Sequence, residues 1–248
     1  AVSAGSNPYS VAVDPSGRFA YVANYGSNNV SVYTIDQTTG ALTAGTAAST
    51  GSAPSSVAVD PTGRFVYVTN YSSNTVSVYR INQTTGALTA GTAVSTGTYP
   101  NSVTVDPSGK FAYVANIASN TVSVFTINPD TGALTAGTAV SAGGNPYSAT
   151  VDPSGRFMYA AFYGSSSVSV YTINPVTGAL TAGTGVGSAI NPYSVTVELS
   201  GKFAYVANYN SNTIRLLTID QATGALTAGS TYGTGAYPRS VVTCGVMQ

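Results

Sequence analysis

The sequence of 248 residues contains no histidine and no tryptophan, and its one cysteine is Cys244. The absence of histidine excludes a histidine general base and a histidine-ligated metal site. It also leaves the single thiol without the histidine that would activate it as a nucleophile. One cysteine cannot form an internal disulfide, and we expect Cys244 to pack in the core. We expect no metal and no other cofactor.

Charged residues are also scarce, at 6% of the chain, and eight basic side chains balance eight acidic ones. A neutral chain without a basic run lacks the electrostatic footprint of nucleic-acid binding, so we expect no nucleic-acid partner. No stretch approaches the ~20 apolar residues that span a bilayer, so we expect no membrane insertion. The polar residues are mainly Ser, Thr, Asn and Gly, and the chain starts in mid-repeat, as a processed mature form would. Both features favour an extracellular or cell-surface location.

The chain does contain one passage five times. "VDPSGRFAYVANY" at 13–25 returns as "VDPTGRFVYVTNY", "VDPSGKFAYVANI", "VDPSGRFMYAAFY" and "VELSGKFAYVANY". The spacing is 46 residues throughout, as shown by Pro8, Pro54, Pro100, Pro146, Pro192 and Pro238. Five full repeats therefore occupy 8–53, 54–99, 100–145, 146–191 and 192–237, with fragments at 1–7 and 238–248. A fixed period of this length is typical of repeat architectures.

Each repeat is predicted to form four β-strands, which in the first repeat cover 9–14, 18–25, 29–35 and 41–49. "DPSG" separates the first two strands and has the residues that a type I turn prefers. The second strand is apolar on both faces, with Phe19 and Tyr21 on one face, so its sheet must pack between neighbours. Stacked four-stranded antiparallel sheets of about 40–50 residues are β-propeller blades. The sequence thus predicts an all-β protein: a single β-propeller domain over 1–248, with five blades and surplus strand fragments at both termini.

The sequence of the repeat resembles that of the YVTN-type β-propellers. "YVAN" or "YVTN" follows "DPSGRF" or "DPTGRF", and "VSVY" and "TGAL" come later in the repeat. These propellers belong to a wider lactonase-like group that includes 6-phosphogluconolactonases, so the resemblance implies the fold over essentially the whole chain. It also implies lactone hydrolysis by ionisable residues gathered at the channel mouth. Rings of that family usually have seven blades, whereas this chain encodes five. In repeat number alone it resembles the five-bladed tachylectin type of sugar-binding propeller.

One carboxylate stands at the same register in every repeat: Asp14, Asp60, Asp106, Asp152 and Glu198. These five could in principle ring a channel and bind a cation, but we interpret them as turn residues that accept from nearby backbone N–H groups. The basic residues four positions later are expected to form weak exposed ion pairs with them. Asp130, Arg80, Arg215 and Arg239 are the remaining charged candidates, and they are a thin basis for hydrolysis. No catalytic residue is assigned.

A binding site is expected where the repeats differ. The loops entering the first strands vary between repeats, and in a propeller they open near the axis at one face. Tyrosine and asparagine there can stack on and hydrogen-bond a glycan or a peptide. The predicted ligand-binding rim of this channel mouth is Tyr9, Tyr99, Asn101, Tyr147, Tyr193, Tyr237 and Arg239. Packing of these tyrosines between blades is the alternative. The ends of the second strands also vary, at positions such as Tyr25 and Tyr163.

The leading interpretation is a secreted or surface β-propeller that acts as a non-catalytic binding or assembly scaffold. One alternative is a lactonase-like hydrolase, and another is a sugar-binding propeller. The lack of histidine and of unique charges favours binding over catalysis. The terminal fragments match the end of a fourth strand and a first strand, which suggests self-association through the termini. Closure of the junction between the first and last blades is the alternative role for these fragments.

Overall fold

The computed structural model describes residues 1–243, so the expectation for Cys244 lies outside the described residues. These residues form 23 β-strands and contain no helix, and hence none that could cross a membrane. Runs of Val, Tyr, Phe, Thr and Ile form the strands, because these residues have high β-propensity. Each run ends at a turn that contains Gly, Asn or Ser, residues that turns favour. The strands are grouped in five antiparallel sheets, one for each repeat.

The first sheet comprises β1 (Pro8–Val13), β2 (Phe19–Asn24), β3 (Asn29–Ile35), β4 (Leu42–Ala44) and β5 (Ala48–Ser49). The second comprises β6 (Pro54–Val59), β7 (Phe65–Asn70), β8 (Thr75–Ile81), β9 (Leu88–Ala90) and β10 (Val94–Ser95). The third comprises β11 (Pro100–Val105), β12 (Phe111–Asn116), β13 (Thr121–Ile127), β14 (Leu134–Ala136) and β15 (Val140–Ser141). The fourth comprises β16 (Pro146–Val151), β17 (Phe157–Phe162), β18 (Ser167–Ile173) and β19 (Leu180–Gly187). The fifth comprises β20 (Pro192–Val197), β21 (Phe203–Asn208), β22 (Thr213–Ile219) and β23 (Leu226–Gly233).

Each sheet is an up-and-down meander in which the first, second and third strands pair in chain order. The fourth, outer strand is continuous only in the last two repeats. In the first three it is two short strands that both pair with the third strand, on either side of an interruption at a glycine such as Gly45. The prediction of an all-β chain with five four-stranded blades is therefore confirmed, with a broken edge strand in three of them.

The turn between the first two strands is held by the repeat aspartate, as predicted. Asp14 accepts hydrogen bonds from the backbone N–H of Phe19 at 2.7 Å and of Ser16 at 3.2 Å. Burial acts to raise the pKa of the Asp14 carboxyl. Hydrogen bonds from the Ser16 hydroxyl and from three backbone N–H groups outweigh burial, so the pKa lies below its usual range. The Arg18 guanidinium, which we expected to pair with this carboxylate, donates to the carbonyl of Gln83 at 2.9 Å.

The chain forms two compact units, Ala1–Val114 with Phe125–Ala136, and Ala115–Val124 with Gly137–Gln248. In the first unit, apolar cores lie between the first and second sheets and between the second and third. In the second unit, a core lies between the fourth and fifth sheets. First strands lie beside one another, with β1 next to β6, β6 next to β11, and β16 next to β20. The beginnings of neighbouring repeats are thereby brought together.

Residues 1–7 take the place that the end of the preceding fourth strand takes in a complete repeat. The Tyr33 hydroxyl donates to the Ser3 carbonyl at 2.7 Å, just as Tyr79 donates to the Ser49 carbonyl at 2.5 Å one repeat later. The sequence match of this fragment to a fourth-strand end is confirmed at this contact. At the other end, residues 238–243 do not form the first strand that their sequence suggests.

Candidate functional site

In four of the five repeats a backbone hydrogen bond places the two variable positions side by side. The loop entering a first strand accepts a bond from the residue just after the second strand. Examples are Tyr25 N–H to the Asn7 carbonyl at 2.9 Å and Tyr209 N–H to the Asn191 carbonyl at 2.9 Å. The loop residue has a left-handed backbone in every repeat, and tyrosine occupies that position twice, at Tyr99 and Tyr237. Such a conformation is uncommon for a bulky residue and must be enforced by its surroundings.

An asparagine side chain supplies that constraint. Asn74 Oδ1 accepts from the Tyr99 N–H at 2.9 Å, and Asn212 Oδ1 accepts from the Tyr237 N–H at 2.8 Å. The same bond recurs at Asn120, which accepts from the Asn145 N–H at 2.7 Å. The repeat thus builds a rigid backbone frame that displays side chains differing from one repeat to the next.

In the first unit this frame displays four tyrosines, which we call the N-terminal tyrosine cluster: Tyr9, Tyr25, Tyr71 and Tyr99. The ring centroids of Tyr71 and Tyr99 are 4.6 Å apart and their planes are nearly parallel, at 4°. Tyr25 joins this pair to Tyr9, with centroid distances of 6.1 Å to Tyr71 and 5.6 Å to Tyr9. Burial raises the pKa of Tyr71 most, and its tyrosine neighbours raise it further.

In the second unit a larger set forms, which we call the C-terminal tyrosine cluster: Tyr147, Tyr163, Tyr193, Tyr209 and Tyr237, together with Arg239. Tyr147 stacks on Tyr163 at 4.7 Å and approaches Tyr193 at 4.9 Å. Tyr209 lies 5.5 Å from Tyr193 and 5.0 Å from Tyr237. The Arg239 guanidinium lies over two of these rings, 5.5 Å from the centroid of Tyr209 and 5.8 Å from that of Tyr193. Such cation–π contacts attract the guanidinium to the ring faces.

Amide groups border the C-terminal tyrosine cluster. Asn210 Nδ2 donates to Asn191 Oδ1 at 2.7 Å and approaches the Tyr163 hydroxyl at 3.5 Å. Asn191 Nδ2 in turn donates to the Tyr163 carbonyl at 2.8 Å. Phenol, amide and guanidinium groups therefore meet at one place. Such a surface offers flat apolar contact, hydrogen bonds and a positive charge to a polyhydroxylated or anionic molecule.

The rim residues predicted from the sequence are distributed over these clusters. Tyr9 and Tyr99 belong to the N-terminal tyrosine cluster, and Tyr147, Tyr193, Tyr237 and Arg239 belong to the C-terminal one. Asn101 is buried instead, although it occupies the same repeat position as Tyr9. A ligand-binding role for this set stays a prediction.

The rim predicted from the sequence did not include the tyrosines that follow the second strands: Tyr25, Tyr71, Tyr163 and Tyr209. The variation of these positions between repeats could have indicated them. It is the backbone hydrogen bond in the folded protein that brings them beside the loops entering the first strands.

The other charged candidates lie elsewhere in the repeats: Arg80 is exposed on β8, Asp130 is exposed in a turn, and Arg215 is on β22. The Arg215 Nε atom is buried without a hydrogen-bond partner in the described structure. Residues 1–243 contain no group of three or more potential metal ligands.

Solved structures with the same fold include three from bacteria. A provisionally named 6-phosphogluconolactonase from Bacteroides uniformis is 23% identical, with a TM-score of 0.86 over 97% of this chain and 76% of that chain. A similarly named protein from Bacteroides fragilis is 24% identical, with a TM-score of 0.84 over 93% and 71%. The periplasmic gluconolactonase of Pseudomonas aeruginosa is 22% identical, with a TM-score of 0.82 over 93% and 71%. At these identities the likeness establishes the fold.

No curated protein matches the chain in sequence. The sequence profile of a family described as "Lactonase, 7-bladed beta-propeller" does match, over 2–103, 46–150, 90–195 and 149–243. This family match overturns the interpretation of the protein as a non-catalytic scaffold and favours the hydrolase alternative. That interpretation was wrong because it took the lack of histidine as a lack of catalysis, whereas oxyanion stabilisation needs hydrogen-bond donors of any kind. The resemblance seen in the repeat wording is confirmed: the chain belongs to the lactonase family of seven-bladed β-propellers.

Proposed function

We propose that the protein hydrolyses a sugar lactone at the C-terminal tyrosine cluster. The observation that carries this proposal is the position of Arg239 over the Tyr193 and Tyr209 rings. At the equivalent repeat position the chain otherwise has tyrosine, serine or asparagine, so Arg239 adds a cation to an otherwise neutral tyrosine surface. Family membership supplies the reaction class, and the names of the neighbours suggest gluconolactone or its 6-phosphate as substrates.

Lactone hydrolysis has modest chemical requirements. Water adds to the ring carbonyl carbon, the bond between that carbon and the ring oxygen breaks, and the water proton passes to the departing ring oxygen. The product is a hydroxy acid. The carbonyl oxygen gains negative charge in the transition state, so a donor aimed at it lowers the barrier. A guanidinium group is always charged and offers several N–H donors for this role.

In the proposed reaction the residues of the C-terminal tyrosine cluster have different roles. The Tyr147, Tyr193 and Tyr209 faces pack against the pyranose ring, whose C–H groups favour flat aromatic contact. Arg239 donates to the lactone carbonyl oxygen. Asn210 and the Tyr163 hydroxyl, already adjacent at 3.5 Å, hydrogen-bond the attacking water or a sugar hydroxyl. Holding the lactone and the water together contributes to the rate as well.

The test is the rate of hydrolysis of glucono-δ-lactone and of 6-phosphogluconolactone, followed by acid release and corrected for the spontaneous reaction. We expect R239A to lower kcat/KM about tenfold or more. This is less than the roughly 10²–10³-fold loss for a donor in a water-excluded site, because the Arg239 side chain is exposed. R239K should restore part of the activity, since it returns the charge without the planar fork. Y193A and Y209A should mainly raise KM.

R80A is the matched control, because it removes the same charge from an exposed strand position outside the cluster. It should leave both kinetic constants unchanged. Wild-type turnover no faster than the spontaneous reaction would exclude lactonase activity on these two substrates. Turnover that survives in R239A and is lost in R215A would instead place the site at Arg215.

A further inference from the structure

The middle of the third strand has a serine in four repeats and an arginine, Arg215, in the fifth. The serines are Ser31, Ser77, Ser123 and Ser169. In the first three repeats the serine hydroxyl accepts a hydrogen bond from the amide of the asparagine that ends the second strand. The distances are 2.9 Å from Asn24, 2.8 Å from Asn70 and 2.9 Å from Asn116. This serine therefore has a role within its own blade.

The fifth repeat lacks this bond. Its asparagine, Asn208, is fully buried, and its Nδ2 donates only at 3.4 Å, to the Thr213 hydroxyl and to the Val206 carbonyl. Arg215 cannot take the place of the serine, because a guanidinium has N–H donors and no acceptor. The arginine thus weakens the hydrogen bonding of its own sheet, which indicates a role outside the packing of the blade.

Arg215 stands where the core of the second unit meets the surface. In the fifth sheet it is paired with Val206 on one side and with Thr231 on the other. Val206 belongs to the apolar core between the fourth and fifth sheets, whereas Thr231 is exposed. Leu217, two residues further along the strand and on the same face, is in that core as well. The Arg215 side chain therefore starts among apolar residues.

The guanidinium of Arg215 has no protein partner among the described residues. Its Nε is buried without a hydrogen bond, and its terminal nitrogens, which also lack one, are not among the buried atoms and so reach solvent. The acidic residues of the second unit are engaged elsewhere, since each accepts from backbone N–H groups of its own turn. They are Asp152, Glu198 and Asp220. The positive charge is therefore left without a counter-charge from these residues.

An arginine in this position attracts an anion from outside the chain. Its proton cannot be lost to relieve the burial of the charge, as that of a lysine can. Charges that are partly removed from water are generally paired, and the attraction to an opposite charge grows as water is excluded. The two terminal nitrogens direct parallel N–H groups outward, in the geometry that matches two oxygens of a carboxylate or a phosphate.

We propose that Arg215 binds a small oxyanion, a carboxylate or phosphate group, through its terminal nitrogens. The anion supplies the counter-charge that the sheet lacks, and this binding offsets the hydrogen bond that Asn208 loses. The proposal does not depend on lactone hydrolysis, because Arg215 is not a member of the C-terminal tyrosine cluster.

R215S tests the proposal with the residue that the other four repeats have at this position. In a buffer free of oxyanions R215S should melt above wild type, because the serine again accepts from Asn208 and no charge is buried. Added phosphate, at about 20 times its dissociation constant, should raise the melting temperature of wild type by about 4–7 °C more than that of R215S. The comparison with R215S removes the general stabilisation that phosphate gives any protein.

Two other variants locate the effect. R80A removes the same charge from an exposed strand position, and R239A removes it from the C-terminal tyrosine cluster, so both should keep the full phosphate shift. R215K keeps the charge without the planar fork and should bind phosphate more weakly than wild type. Loss of the shift in R239A with its retention in R215S would place the anion at the C-terminal tyrosine cluster and overturn the proposal.

Calorimetric titration distinguishes the possible sources of the oxyanion. Phosphate and gluconate should each bind wild type at one site and give no heat of binding with R215S. The tighter of the two identifies the preferred group. Chloride at the same ionic strength should not compete, since it cannot accept in the paired geometry. Equal phosphate shifts in wild type and R215S, or a shift that chloride reproduces in full, would contradict an oxyanion site at Arg215.

Discussion

The repeat aspartate is the residue on which each blade's first turn depends. Asp60 is buried, and its Oδ1 accepts from the backbone N–H groups of Arg64 and Phe65, both at 2.7 Å. Its second oxygen accepts from the Thr62 N–H at 3.1 Å. A buried carboxylate is tolerated here because it satisfies N–H groups that the strands leave unpaired. The role is structural, and it explains why the same residue recurs without forming a site.

We predict that D60A lowers the free energy of unfolding by about 2–4 kcal/mol, because buried N–H groups lose their acceptor. D60N keeps one carbonyl oxygen and should cost less. Urea denaturation measures both. The exposed Asp130 provides the control, since D130A should change stability by no more than about 0.5 kcal/mol. An equal effect of D60A and D130A would contradict the capping role.

The lowered pKa of Asp14 predicts a specific loss of stability in acid. Its folded pKa lies below the ordinary value of 3.8, so its contribution to stability is complete well above that value and is lost as the pH falls through the folded pKa. The difference in unfolding free energy between wild type and D14N should therefore be large at neutral pH and shrink below pH about 4. Denaturation curves at several pH values measure it. A difference independent of pH would contradict the assignment.

At the scale of elements, the contact between consecutive sheets sets how repeats join. In three pairs of consecutive sheets a phenylalanine of one sheet packs on a glycine of the next, and a tyrosine hydroxyl donates to the carbonyl of that glycine. Burial raises the pKa of Tyr21 most, followed by the charge of Asp14, and both keep the hydroxyl protonated as a donor. Every repeat has both the phenylalanine and the glycine of this contact.

Gly40 and Gly86 form a matched pair that separates backbone strain from packing. Both have left-handed φ values, +71° and +73°, so alanine should cost each about 1–2 kcal/mol. Only G86A also drives a Cβ into Phe19, which should cost a further ~1–3 kcal/mol. Thermal unfolding measures the difference. If G40A is as destabilising as G86A, the contact between Phe19 and Gly86 makes no packing contribution.

At the scale of the whole molecule, two compact units each contain their own cores and their own tyrosine cluster. The chain spans 71–76% of the length of the three bacterial propellers compared with it. An extracellular location, a single domain over 1–248 and glycan or peptide binding stay predictions. The first residues of the chain contribute to packing as well, because the Ser3 carbonyl accepts from buried Tyr33.

Deletion of residues 1–6 should lower stability by more than Y33F does. Y33F removes only the hydroxyl that donates to Ser3, worth about 1 kcal/mol. The deletion removes that acceptor and also the chain segment beside Tyr33, so a buried polar group loses its partner. Melting temperatures of the two variants make the comparison. A deletion variant as stable as Y33F would show that residues 1–6 add nothing beyond one hydrogen bond.

The sequence by itself determined the period of 46 residues, the strands, the turns and the aspartate caps. These features depend on residues close in the chain, where local geometry and hydrogen bonding leave few choices. It also determined the family, since the sequence of the repeat includes the residues that pack in each blade. It did not determine function, because a missing histidine excludes particular bases and nucleophiles rather than catalysis itself.

Only the tertiary structure decided the surroundings of equivalent positions. Tyr9 and Asn101 occupy one repeat position, yet Tyr9 joins a tyrosine cluster and Asn101 is buried. Phe157 and Phe203 are likewise equivalent, and only Phe157 meets a glycine of another sheet. The physical reason is that burial and contact depend on what a neighbouring sheet supplies, and a repeat does not encode which neighbours it will have.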